Sequence, residues 1–81
     1  MTVSVHFFGL HREQVQTDRI QIPIQNKMCV ADVFIYIREN YPELLLEEEM
    51  VMITVNQRIS SLDQTLRTND EVAFIPHIGG G

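Results

Sequence analysis

The sequence predicts an α+β domain, a mixed sheet of four to five strands with one main helix packed across one face. Three observations carry this expectation. Residues 3–8 and 20–25 alternate between apolar and polar side chains with a period of two. Residues 30–41 switch to a period between three and four, and after residue 50 the period of two returns in two further stretches. Eighty-one residues supply material for one core, near the size at which a single core is only marginally sufficient. We therefore expect one domain over residues 1–76 and a flexible glycine-rich tail over residues 77–81.

In chain order, Val3, Val5 and Phe7 share one face of a first strand, and Ser4, His6 and Phe8 the other. The first set is expected to face the core, leaving Phe8 as a large apolar side chain on the more polar face. Gly9 ends the run, and Leu10-His11-Arg12-Glu13-Gln14 reads as a polar connection. In Ile20-Gln21-Ile22-Pro23-Ile24-Gln25 all three isoleucines fall on one face, and Pro23, with no N–H to donate, places this strand at a sheet edge. Val30, Val33, Phe34, Ile37 and Tyr41 then form one apolar stripe of a helix that Pro42 stops. Cys29 stands at the N-cap position, as a small, partly buried residue. Leu44-Leu45-Leu46 and the acidic run Glu47-Glu48-Glu49 read as a short, solvated loop. Val51, Ile53 and Val55 mark a third strand, Asn56-Gln57-Arg58 a turn, and Ile59 a short return strand. Over residues 60–68 the pattern is weak, with Leu62 and Leu66 as anchors. Thr68-Asn69-Asp70 is turn chemistry, with Asn suited to positive φ, and Glu71–Pro76 is a last strand that presents Val72 and Phe74 on one face and Ala73 and Ile75 on the other.

Strand, strand, helix, strand, short strand, strand is the β-grasp, or ubiquitin-like, order. Its first and last strands are normally central and parallel, which requires a crossover that the helix can supply. Phe8 and Ile75 would then lie side by side on the face away from the helix. With a nearby Leu62 they would form an apolar docking patch.

Composition narrows the function. One cysteine excludes an internal disulfide and any multi-cysteine metal site, and fits a reducing, cytoplasmic setting. A net charge of -5 with Lys27 as the one lysine argues against nucleic acid or an anionic membrane as partner and favours a basic protein. No apolar run approaches a membrane span. His6, His11 and His77 share no metal-ligand spacing, and no nucleophile and base pair or phosphate loop is present. The sequence closes on Ile75-Pro76-His77-Ile78-Gly79-Gly80-Gly81. Glycines without Cβ atoms can lie extended in a channel too narrow for other residues, which would deliver a terminal carboxylate to another protein's active site. A cloning scar or an idle frayed end is the bland alternative.

Several short pieces, in this order and spacing, carry a resemblance over essentially the full length: Phe7-Phe8-Gly9-Leu10-His11-Arg12-Glu13, Val30-Ala31-Asp32, Tyr41-Pro42-Glu43, Val55-Asn56, and Asp70-Glu71-Val72-Ala73-Phe74-Ile75-Pro76 before the glycines. The chain resembles the MoaD/ThiS family of small sulfur carriers, and looks more like its molybdopterin-synthase branch than its thiamine branch. The resemblance implies that Gly81 matches the glycine whose carboxylate an E1-like activating enzyme adenylates with ATP and converts to a thiocarboxylate. Ile78, Gly79, Gly80 and Gly81 would then enter the partner's active site. Phe8, Arg12 and Ile75 match positions that contact the activating enzyme or the large catalytic synthase subunit. The chain itself would be a non-catalytic carrier with no stably bound cofactor or metal. It departs from the family pattern at Cys29, Asn69, His77 and Gly79. Two alternatives stand beside a molybdopterin-synthase carrier: a carrier for thiamine or sulfur amino acid biosynthesis, and a ubiquitin-like modifier joined to proteins through Gly81. A β-grasp adaptor with incidental glycines is a third.

Overall fold

A computed structural model describes residues 1–24, 27–44 and 46–77, and the expectations for Gln25, Asn26, Leu45 and the tail from Ile78 to Gly81 lie outside the described residues. The elements are β1 (Thr2–Phe7), α1 (Gly9–Val15), β2 (Arg19–Pro23), α2 (Val30–Asn40), a 3₁₀ turn (Glu48–Met50), β3 (Val51–Val55), β4 (Arg58–Ile59) and β5 (Glu71–Pro76). The five strands form one mixed sheet in the order β2-β1-β5-β3-β4. β1 and β5 are parallel and central, from Ser4 opposite Glu71 to Phe7 opposite Phe74, and the remaining pairs are antiparallel. This is the β-grasp arrangement.

Alternation assigns the strand faces. Val3, Val5 and Phe7 of β1, Val72 and Phe74 of β5, and Ile53 and Val55 of β3 are buried beneath Val30, Val33, Phe34 and Ile37 of α2. Phe34 and Phe74 meet edge to face at 5.3 Å between ring centroids, a favoured aromatic geometry at the centre of this layer. The start of α2 is tied down from two directions. The Cys29 backbone N–H donates to Asp32 Oδ2 at 2.9 Å, while the Val30 and Ala31 N–H groups donate to the carbonyls of Gln64 and Leu62 at 3.0 and 2.8 Å. Orphan donors of the first helical turn are thereby satisfied by the patternless segment that follows β4.

β2 is an edge strand, as Pro23 requires, and the edge is blunted. The bonds from Ile24 N–H to Met1 C=O and from Phe7 N–H to Asp18 C=O direct the even-numbered backbone groups toward β1. Arg19, Gln21 and Pro23 therefore point outward. Pro23 has no N–H, and the Thr17 hydroxyl lies 3.1 Å from the Arg19 carbonyl and 3.4 Å from its N–H. Among these three, only Gln21 offers both groups to another strand, which protects the edge against sheet extension.

Two expectations need correction. The acidic run is not simply loop, since Glu48 and Glu49 enter the 3₁₀ turn that leads into β3. Residues 10–14 are not a polar connection but the body of α1. Gly9 makes the sharp entry at φ +57°, a left-handed conformation that suits glycine, and Gln16 closes the helix at φ +61°. Periodicity missed α1 because its inward positions are His11 and Val15, one of them polar, while its aliphatic Leu10 faces solvent.

His11 is 8% exposed and its Nδ1 is buried without a hydrogen-bond partner. Burial lowers its pKa from the ordinary imidazole value, an effect partly offset by the nearby Phe74 backbone. The unfolded chain thus takes up this proton more readily than the folded one. Stability is full above about pH 6.5 and is lost as pH falls below it. We expect the urea midpoint to drop between roughly pH 7 and pH 5, and His11→Leu to flatten that drop. An unchanged profile in the variant would remove His11 as its cause. In the core, Phe74→Ala should cost about 3–5 kcal/mol by urea titration. Ile59→Ala, on the open face, should stay within about 0.5 kcal/mol.

Candidate functional site

The sheet face away from α2 is open, and here the odd residues of β5 and the even residues of β1 and β3 come together. Met52 lies opposite Ile75 and Thr54 opposite Ala73 in the β3–β5 ladder, and His6 lies beside Ala73 in the β1–β5 ladder. Phe8, just past the end of β1 and 42% exposed, stands with Ile75 between two shallow concavities. On the sheet, Met52, Ile59 and Ala73 line the first, with His6 and Glu71 at its polar margin. The second lies toward α1, where Leu10, His11, Met50, Pro76 and His77 contribute. Phe8 and Ile75 belong to both.

Ile59 is the member that the sequence reading did not include. Asn56 and Gln57 both have positive φ, +52° and +70°, which makes a two-residue hairpin turn and sets Val55 opposite Arg58 and Thr54 opposite Ile59. Antiparallel partners share a face, so Ile59 is directed to the open side, where it is 79% exposed. The positive-φ turn was the signal available, because a two-residue turn after Val55 fixes the parity of the return strand. Leu62 is not beside Phe8 and Ile75 as expected. It is half-buried on the helix side, bordering a groove with Ala31, Phe34, Ile35 and Arg38, because its carbonyl receives the Ala31 N–H.

Electrostatics mark one margin of the patch. His6 Nε2 lies 3.4 Å from Glu71 Oε1, a long contact between groups at the margin of an otherwise apolar surface. Arg12 is exposed on α1. At the other end, the His77 N–H donates to the Met50 carbonyl at 3.1 Å, extending the β5–β3 ladder by one residue. His77 is bonded to Ile78, so the tail begins at the second concavity. Ile78, Gly79, Gly80 and Gly81 themselves lie outside the described residues. Among the described residues no group of three or more His, Cys, Asp or Glu side chains could hold a metal ion, and no helix is long and apolar enough to cross a membrane.

This surface can bury apolar side chains of another protein next to the root of the tail. Comparisons with known proteins agree in sequence and in fold. The chain is 38% identical over 80 residues to the molybdopterin synthase sulfur carrier subunit of Mycobacterium tuberculosis, covering 98% of this chain and 96% of that protein. In three dimensions it is similar to SAMP1 from Haloferax volcanii, with a TM-score of 0.84 and 16% identity over the whole of both chains. It is also similar to a chain of the complex of subunits 1 and 2 of molybdopterin-converting factor from Helicobacter pylori, with a TM-score of 0.72 and 21% identity over both full chains. At these identities the two structural likenesses establish the shared fold. The model of the ThiS family matches residues 5–81, and this chain belongs to that family.

Proposed function

We propose that this chain is the sulfur carrier subunit of a molybdopterin synthase. The observation that carries the reading is the 38% identity with such a subunit over nearly the full length of both proteins. The open-face patch beside the root of the tail supports it, and the subunit complex that shares the fold supports a larger subunit as partner. The likeness to SAMP1 is one of fold and gives the modifier alternative no separate support.

In this proposal Gly81 is the reacting residue. An α-carboxyl group has a pKa of about 3.5, so at neutral pH it is an anion with no good leaving group. An E1-like enzyme joins it to AMP from ATP, releasing pyrophosphate and leaving a mixed anhydride. Attack of a hydrosulfide-level sulfur on the carbonyl forms the C–S bond and expels AMP, and loss of the sulfur-bound proton leaves a thiocarboxylate, the nucleophile that supplies sulfur to the molybdopterin precursor. The chain binds no ATP of its own. It presents the tail, about 16–18 Å long if residues 77–81 are extended, and holds it in place through Phe8, Ile59 and Ile75 docked on the partner. Reduced cytoplasm is the setting in which such a carrier would work.

Burying one large apolar side chain contributes about 1.5–3 kcal/mol. Phe8→Glu or Ile59→Glu should therefore weaken binding to the larger synthase subunit roughly tenfold or more by calorimetry, while the urea midpoint hardly moves. Equal affinity in both variants would move the docking surface elsewhere. Incubation with ATP, a sulfur donor and the activating enzyme should add about 16 Da to the C-terminal peptide, placed on Gly81 by fragmentation so that methionine oxidation is not mistaken for it. Deleting Gly81 should abolish loading and preserve docking. A loaded chain without Gly81 would sink the assignment.

A further inference from the structure

The chain has four methionines, and two of them flank the docking surface. Met52 projects from β3 onto the open face opposite Ile75, is 36% exposed and lines the first concavity with Phe8 and Ile59. Met50, two residues earlier, is 60% exposed and lines the second concavity, where its carbonyl receives the His77 N–H. Met28 is buried in the core at 9% exposure, and Met1 precedes the opposite end of β1 from Phe8. The two thioethers that solvent reaches next to the tail root are thus the two that a docked partner would cover.

A thioether is apolar and soft, and it fills irregular apolar surface well. Its sulfoxide is a strongly polar acceptor. Peroxide oxidation is balanced without any group from the protein: the sulfur lone pair attacks one oxygen of hydrogen peroxide, the O–O bond breaks, a proton moves to the departing oxygen, and sulfoxide and water result. Sulfur loses two electrons and peroxide gains them. Because Met50 and Met52 lie outside the core, this change need not unfold the chain. It places a polar oxygen on a surface that has to become dry on docking.

We propose that Met50 and Met52 form a reversible oxidation site on the docking face, and that their conversion to sulfoxide releases the carrier from its larger partner subunit. The proposal rests on the docking reading above. It makes sulfur delivery sensitive to peroxide at the level of association, separately from any chemistry of the terminal thiocarboxylate.

The test uses the full chain with its Gly81 carboxylate unloaded and with Cys29→Ser, which removes the thiol and installs a better N-cap. The chain is treated with hydrogen peroxide, freed of oxidant and titrated into the larger synthase subunit. Peptide mapping should show Met50 and Met52 oxidised well before Met28. Affinity should fall roughly tenfold or more, the scale of leaving a polar oxygen unpartnered in a dry contact, and methionine sulfoxide reductase with a thiol reductant should restore it. In the Met50→Leu, Met52→Leu chain the ratio of affinities before and after peroxide should stay near one, whatever its starting affinity, even though Met1 is still oxidised. Oxidised chain that binds within about twofold of untreated chain overturns the proposal, as does a loss that the reductase cannot reverse or that persists in the leucine chain. Failure of the untreated chain to bind is a different result: it sinks the docking reading and this inference with it.

Discussion

The parallel pairing of β1 with β5 is the constraint on which the rest of the molecule depends. Parallel neighbours cannot be joined by a hairpin, so the intervening chain must cross over the sheet, and α2 is the element that does so. Parallel strands also end at the same side. Phe8 leaves β1, and Pro76 and His77 leave β5, at one end of the sheet, which is why the apolar patch and the root of the tail are neighbours. Antiparallel pairing of the same two strands would send the tail out at the end where Met1 lies and separate it from Phe8.

Register gives the two sheet faces different duties. Phe74 is fully buried against Phe34, and the next residue, Ile75, points to the open side. A slip of one residue would exchange them, exposing the ring and burying the patch. The turns hold the register. Asn56 donates its backbone N–H to the Glu71 carbonyl at 2.7 Å, its amide donates to Asp70 Oδ1 at 2.9 Å, and its Oδ1 accepts the Glu71 N–H at 3.0 Å. The Asp70 carbonyl in turn accepts the Ser4 N–H, and the Thr2 carbonyl accepts the Asn69 N–H. The β3–β4 turn, the start of β5 and the start of β1 are thereby pinned to one another, with Asn69 at φ +71° making the bend.

Much of this was legible because burial repeats along the chain. The strand alternations, the Val30 to Tyr41 stripe, the edge position implied by Pro23 and the positive φ of Asn69 all reflect rules that act within a few residues. α1 was not legible, because its buried inward residue is a histidine and its entry depends on one glycine. Nor was the third member of the patch. Placing Leu62 in the patch took no account of strand pairing, and membership is decided by the hairpin at Asn56 and Gln57 and by the helix N-terminus that captures the Leu62 carbonyl. The hairpin is local, since a two-residue turn after Val55 fixes the parity of Ile59, whereas the capture of the Leu62 carbonyl by the Ala31 N–H joins distant residues and no local pattern contains it. Phe8 and Ile75 were legible together only through the expected parallel pairing, which turned two separate parities into one surface.

The size of the patch bears on how a carrier of the proposed kind would work. The tail begins between Phe8, Ile75 and Met50, so any protein that takes the tail covers this ground. An activating enzyme and a synthase subunit would therefore compete for it, and the carrier has to leave one before meeting the other. Three apolar side chains, Phe8, Ile59 and Ile75, contribute about 1.5–3 kcal/mol each when buried. Association itself costs about 4–15 kcal/mol in lost freedom of motion, so these anchors alone leave little surplus. A small patch on a rigid sheet thus favours contacts that form specifically and break quickly. A larger patch would bind more tightly and slow the exchange between charging and delivery on which a shuttle depends.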